Sequence, residues 1–343
     1  MIPRIILFVA LCIPGVCPHV SRAQEPGPLA QPAIRSTTEL VKVDAGILDL
    51  NGKFVGGLEQ KNFRILDHGV ERPILFFAPV EAPAQVIVMI ETSPAVYLIH
   101  TLHLAAAYEL LNGLAADDQV ALVTYDEAPH AILPFTLDKS ALAAAFDKIQ
   151  FTLGTGQLNF FDSVSTVLDW VAPASGKKAL VLLTTGLDSS PPARWDALVQ
   201  KLRARDVVVY SVGLGGPLRQ PALKKSKPSK KPPKSGSKQD SASRESENPL
   251  SFEKANNDLL ELAAITGGRA YFPESAKDFA PMYREIASAL RHQYVLGIAP
   301  EHDGKFHEIT VEILDGNGPH AGPEVKRAEF RVLARQGFLA PGP

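Results

Sequence analysis

Between about residues 85 and 299, nearly continuous apolar runs alternate with segments of helical period, and no other feature constrains the fold as strongly. The runs are QVIVMIE (85–91), QVALVTYDE (119–127), KALVLLTTG (178–186), VVVYSVGLG (207–215) and GRAYF (268–272). A strand with one wet face would alternate polar and apolar residues, so unbroken runs of this kind indicate parallel strands covered on both faces. The segments between them, such as FFDSVSTVLDWV and ARWDALVQKLRARD, carry one apolar stripe at helical spacing. This alternation predicts an α/β domain over 85–293 with a doubly wound, mostly parallel sheet. HAILPFTLD (130–138) follows the strand before it after a short turn, which predicts an antiparallel partner at the sheet edge.

The flanking regions read as β. In 38–80, apolar alternation on both sides of Asn51-Gly52 predicts a hairpin, and Asp67-His68-Gly69 marks a second strand pair. QYVLGIAP, KFHEITVEIL and AEFRVLARQGFLA give further strands in 294–340. Strands at both ends of the chain predict a C-terminal β segment that pairs with 38–80. The α/β domain would then be inserted in a β-sandwich built from both termini.

Residues 1–23 have the form of a secretory signal peptide: basic Arg4, an apolar run from Ile5 to about Val16, and small residues at Ser21 and Ala23. The run is short and broken by Pro14, which favours cleavage over an uncleaved anchor. Export to the periplasm or the cell exterior is therefore expected. Both cysteines, Cys12 and Cys17, lie inside this segment, so the mature chain would have no disulfide, thiolate zinc site or cysteine nucleophile. Residues 24–37, rich in Pro, Ala and Gln, read as a flexible leader. Residues 216–249 form a Lys/Pro/Ser-rich insertion too poor in large apolar groups to offset chain entropy, and are expected to be disordered. Its part 217–238 carries eight Lys or Arg and no acid, while the whole chain is at −2. The body is thus acidic and the insertion basic. The insertion reads either as a solvated loop or as a contact for an anionic polymer or surface; export makes nucleic acid a poor partner. Nothing in the mature chain has the length of a transmembrane segment.

No catalytic constellation emerges. The nine histidines show no His-x-x-x-His spacing, and His100 and His103, on one predicted helix face, lack an evident third ligand. A Gly-x-Ser-x-Gly elbow and a phosphate-binding Gly-x-x-x-x-Gly-Lys loop are both absent from the sequence. Gly213-x-Gly215-Gly216 follows a strand but leads into the basic insertion rather than a helix.

VDAGILDLNGKFVGGLEQKNFRILDHGVERPILFF before the α/β region, and LAAITGGRAYFPESAKDFAPMYREIASALRHQYVLGIAP with DGKFHEITVEI after it, resemble the exported von Willebrand factor type A (VWFA)-related proteins of Acidobacteria. The resemblance covers roughly 37–340. It implies a sheet whose C-terminal edge carries a metal-ion-dependent adhesion site, where a bound ion is completed by a partner's carboxylate. The family pattern is Asp-x-Ser-x-Ser, then a Thr, then an Asp. Mapped residue by residue, it falls on Glu91, Ser93 and Ala95, on Leu158 (or Thr155 with a gap), and on Thr185. Ala95 and Leu158 offer no oxygen, Thr185 lacks the charge, and Glu91 is one methylene longer than Asp. Mg²⁺ requires near-octahedral oxygen ligation at about 2.0–2.1 Å, so the site is expected to be vestigial. Glu91, Asp162 and Asp188 could instead form an acidic pocket for Ca²⁺, although Asp162 as a helix cap and Asp188 as a turn residue are the plainer roles.

The expected function is an exported, non-enzymatic protein-binding or adhesion module without a cofactor, with loops 92–97, 154–162 and 185–194 as the recognition surface. The alternatives are a metal-dependent adhesin using Mg or Ca through a non-standard ligand set, and an enzyme of unspecified reaction. N-terminal sequencing of the protein from its native host should begin at Gln24; an intact Met1 would refute export by cleavage.

Overall fold

The computed structural model describes residues 40–97, 104, 108, 110–151, 157–172, 176–216, 251–314 and 330–342. The signal segment, the leader, the basic insertion beyond Gly216, His100, His103 and Thr155 lie outside the described residues. The described residues belong to one unit, Glu39–Pro343.

The first strands are β1 (Val41–Asp49), β2 (Phe63–Asp67), β3 (Val70–Arg72) and β4 (Phe76–Glu81). The central region follows with β5 (Ala84–Glu91), the short α1 (Pro94–Tyr97), β6 (Gln119–Tyr125), β7 (Pro129–Thr136), α2 (Lys139–Phe146) and α3 (Phe160–Val171). It continues through β8 (Lys177–Thr184), α4 (Pro192–Arg203), β9 (Val208–Gly213), α5 (Phe252–Thr266), β10 (Ala270–Tyr271) and α6 (Ala276–Arg291). Without a break, α6 leads into β11 (His292–Ile298), and β12 (Phe306–Ile313), β13 (Phe330–Ala334) and β14 (Gly337–Leu339) complete the chain.

The central sheet has the order β10-β9-β8-β5-β6-β7. Its pairings are parallel except for β7, which runs antiparallel along β6 at the edge, as its sequence position predicts. In β5, Val86, Val88 and Ile90 face a layer containing α2 and α6. Ile87 and Met89 face α3, α4 and α5. This two-sided burial explains why the strand has no polar alternation. The chain leaves β5 for β6 on one side and later returns to β8 on the other, so the strand order reverses at β5. In an open α/β sheet the crevice beyond such a reversal is where ligands bind.

The remaining strands form two four-stranded sheets, β13-β1-β11-β4 and β14-β12-β2-β3. One apolar core joins them through Val43, Ala45 and Ile47 of β1, Ile65 of β2, Leu296 of β11 and Val311 of β12. Two details differ from the sequence reading. The Asn51-Gly52 turn forms, with both backbone N–H groups of Asn51 and Lys53 on the Asp49 carboxylate. The return strand, however, makes only an isolated bridge, Leu48 to Phe54. The flanks of β1 are already occupied, by β11 along Val41–Ala45 and by β13 along Ala45–Asp49. The segment AEFRVLARQGFLA is likewise two strands in different sheets, with the chain crossing between them at Arg335-Gln336.

The end of α5 brings the helix layer close to β9. Gly267, at φ 79°, terminates the helix in the left-handed conformation, and the Gly268 N–H donates to Ala263 O at 2.9 Å. A Cβ on Gly268 would lie 1.9 Å from Val209 O, a backbone atom that the sheet holds in place. Gly57, at φ 80°, has nothing within 4 Å of its notional Cβ. Gly268→Ala should therefore cost about 3 kcal/mol through overpacking, and Gly57→Ala about 1 kcal/mol through its backbone conformation alone. Equal losses in urea unfolding would contradict this assignment of Gly268.

Candidate functional site at the sheet edge

Glu91 is the last residue of β5 and its side chain is fully buried. The register places it beside Tyr125 at the end of β6, while Thr184 ends β8 on the other side. The strand ends thus deliver three polar side chains to one point. Oε2 of Glu91 accepts from Thr185 N–H at 2.6 Å and Thr185 Oγ1 at 2.8 Å. The Thr184 and Tyr125 hydroxyls also lie against it, at 3.1 and 3.2 Å. These two hydroxyls are 2.5 Å apart, so one donates to the other and the second passes its proton to the carboxylate. Oε1 accepts from Ser93 Oγ at 2.5 Å. Burial, and then the Glu91 charge, push the Tyr125 phenol well above its ordinary range, so that it remains a donor.

Loop backbone holds this arrangement in place. Thr92 N–H and Oγ1 both donate to Tyr125 O, at 2.9 and 3.1 Å, which ties the ends of β5 and β6 together. The Gly186 N–H donates to Thr184 Oγ1 at 2.8 Å, from a glycine at φ 71°. Nearby, Ser189 N–H donates to Leu158 O at 2.7 Å and joins two of the edge loops.

Of the positions singled out in the sequence, Glu91, Ser93 and Thr185 therefore meet. Leu158 makes backbone bonds to the 185–190 loop and brings no oxygen to Glu91 through its side chain. Ala95 lies in α1. Asp162 is not the cap of α3, which starts two residues earlier, at Phe160; it lies within the first turn and pairs with Arg194 at 3.5 Å. The cap comes from another loop. Buried Asp188 accepts from Phe161 N–H at 2.8 Å and from Ser190 N–H at 2.5 Å, so its oxygens serve the helix start and its own turn. Tyr125 and Thr184 are the participants the sequence reading missed. Alignment of the parallel strand ends would have indicated both, since each closes the strand beside Glu91.

A hard divalent cation wants about six oxygens with lone pairs directed at it. Around Glu91 the protein instead directs O–H and N–H protons inward, and Oε2 receives the Thr185 N–H, the Thr185 hydroxyl and one proton from the Thr184–Tyr125 pair.

Residues 99–243 match the family model of the von Willebrand factor type A domain. The match spans less than half of the chain, and the fold is a von Willebrand A-like α/β fold with a mostly parallel central sheet and additional antiparallel sheets. The matched segment includes Leu158 and Thr185 and begins after Glu91, Ser93 and Ala95. Among solved structures, a von Willebrand factor type A protein from Catenulispora acidiphila is similar at 11% identity and TM-score 0.45, covering 88% of this chain and 75% of that one. The conserved hypothetical protein BatB from Bacteroides thetaiotaomicron is similar at 16% identity and TM-score 0.41, over 61% of this chain and 98% of its own. The vWF domain of the type V pili tip protein Mfa5 from Porphyromonas gingivalis aligns at 13% identity and TM-score 0.40, over 62% and 96%. No curated protein matches the chain.

Removing the Glu91 side chain would leave several buried donors without an acceptor, each costing about 1–3 kcal/mol. Glu91→Ala should therefore destabilise by at least about 3 kcal/mol. Glu91→Gln keeps an acceptor for Thr185 and offers an amide N–H to Ser93 Oγ, so its change should stay within about 1 kcal/mol. Equal effects of the two substitutions in chemical denaturation would show that the hydrogen bonds to Glu91 do not matter to the fold.

Proposed function

We propose that this chain is an exported, non-enzymatic binding module of von Willebrand A type that engages a protein ligand without a metal ion at Glu91. Domains of this family are generally interaction modules rather than enzymes. The recognition surface is the set of loops 92–97, 154–162 and 185–194; of these, the described residues 92–97, 157–162 and 185–194 lie beyond the strand ends where the sheet order reverses. One observation carries the metal-independent reading: the Glu91 carboxylate is buried and saturated by protein donors, including the backbone N–H of Thr185. In a metal-dependent site that carboxylate would face a cation, and a partner's acid would complete the shell. The five positions Glu91, Ser93, Ala95, Leu158 and Thr185 are on this reading the remains of such a site. Among the described residues no helix is long and apolar enough to cross a membrane.

Thermal melting with and without millimolar Mg²⁺ tests the proposal. A ligand at 100 times its dissociation constant would add about 2.7 kcal/mol, well within detection. The natural protein should show no change. A variant combining Glu91→Asp, Ala95→Ser, Leu158→Thr and Thr185→Asp should acquire a Mg²⁺-dependent rise. A saturable rise in the natural protein that Glu91→Gln abolishes would overturn the proposal in favour of a metal-dependent adhesin.

A further inference from the structure

Away from Glu91, the β-sandwich brings together two short stretches of the sequence, Asp67-His68 and Glu301–His307, and with them two histidines and three carboxylates. His307 lies on β12 and is buried, with 5% of its surface exposed. Its Nδ1 is 3.0 Å from both oxygens of Asp67, the last residue of β2. Its Nε2 is 3.2 Å from Asp303 Oδ1, in the turn between β11 and β12. The ring stacks on Phe338 at 5.3 Å and 16°, which fixes its plane, and the His68 ring lies 5.5 Å away. Arg72 donates to Asp67 at 3.1 Å and forms a close pair with Glu301 Oε1. Lys305 approaches Asp303 Oδ2 only to 3.9 Å and is well exposed, so solvent screens its charge.

An ionised carboxylate only accepts hydrogen bonds, so the bond to Asp67 places a proton on Nδ1. In a neutral imidazole Nε2 is then a bare lone pair, and it faces the Asp303 oxygen. Two lone pairs 3.2 Å apart repel each other, and a cation is needed to reconcile them. That cation is either a second proton or a metal ion. In a tetrahedral shell with bonds of about 2.0–2.1 Å, adjacent ligand atoms are about 3.3 Å apart. The observed spacing matches that edge, and ligand atoms of Glu301, Asp303 and His307 all lie within 4.8 Å of one another. Oδ1 of Asp303 accepts the Lys305 N–H with one lone pair and keeps the other for a metal, and Oε2 of Glu301 is the oxygen that its close pair with Arg72 does not take. Against three acids the cluster sets one close guanidinium, so a dication brings it nearer to neutrality. Asp67 lies behind His307 in the position of the outer carboxylate that typically orients a metal-bound histidine.

We propose that Glu301, Asp303 and His307 Nε2 form a binding site for a divalent cation of the zinc class, with Asp67 as the positioning residue. The site is separate from the Glu91 edge and does not depend on the binding reading above. Co²⁺ absorption and Zn²⁺ calorimetry on the full chain at neutral pH test it. One ion should bind per chain. Asp303→Asn and Glu301→Gln, which alter exposed acids and leave the core intact, should each weaken binding by about 100-fold, as should His307→Gln. Asp67→Asn should weaken it by about 10–100-fold without abolishing it, as loss of an outer partner does. Glu91→Gln should have no effect, which separates this result from the Mg²⁺ experiment. Absence of Co²⁺ bands and Zn²⁺ heat up to ~1 mM metal would show that a proton is the cation here and overturn the proposal. Binding that survives both Asp303→Asn and Glu301→Gln would place the ion elsewhere and overturn it equally.

Discussion

Burial of β5 on both faces is the constraint from which the rest of the α/β domain follows. A strand whose residues Val86–Ile90 all lie out of water must have neighbours on both edges and helices on both sides. The same condition reaches its last residue. Glu91 ends the strand inside that enclosure, so its carboxylate must find compensation within the protein. The strands on either side supply it, since each ends in a hydroxyl-bearing residue at the same level, Tyr125 on β6 and Thr184 on β8. The polar cluster at the sheet edge is thus a direct result of how the core is closed.

The flanking strands solve a different problem. Alone, the 38–80 segment could not bury its apolar face. It does so against the C-terminal strands, with β1 held between β11 and β13 and β2 between β12 and β3. Local turns are subordinate to this long-range pairing. The His68-Gly69 turn, with both residues at positive φ, survives as a tight hairpin because β3 has a free edge of β2 to pair with. The Asn51-Gly52 turn has equal local merit, yet its return segment is limited to the bridge at Leu48, because β11 takes the rest of that edge along Val41–Ala45.

The two polar clusters differ in what compensates the charge. At Glu91 all the partners are hydroxyl or amide donors from the protein, so nothing further is required. At His307 an acceptor faces an acceptor once Nδ1 is committed to Asp67, and an additional cation is required. The family pattern directs attention to the first cluster. Hydrogen-bond accounting points to the second, where no pattern exists.

The sequence by itself determined the elements and their type. The unbroken runs of 85–91 and 178–186 specify buried parallel strands, the antiparallel edge at 130–138 follows from its short turn, and the side chains of Ala95 and Leu158 carry no oxygen. These signals are legible because periodicity and residue chemistry act over a few neighbouring positions. The tertiary structure decided the rest. It brought Tyr125 and Thr184 to Glu91 through strand register, gave the cap of α3 to Asp188 rather than Asp162, split the last β segment between two sheets, and set His307 beside Asp67. Each of these depends on which strand lies beside which, over separations as large as 240 residues for His307 and Asp67. Such pairings are settled by competition for edges and burial across the whole chain, a physical choice that leaves no mark in the local pattern of any one segment.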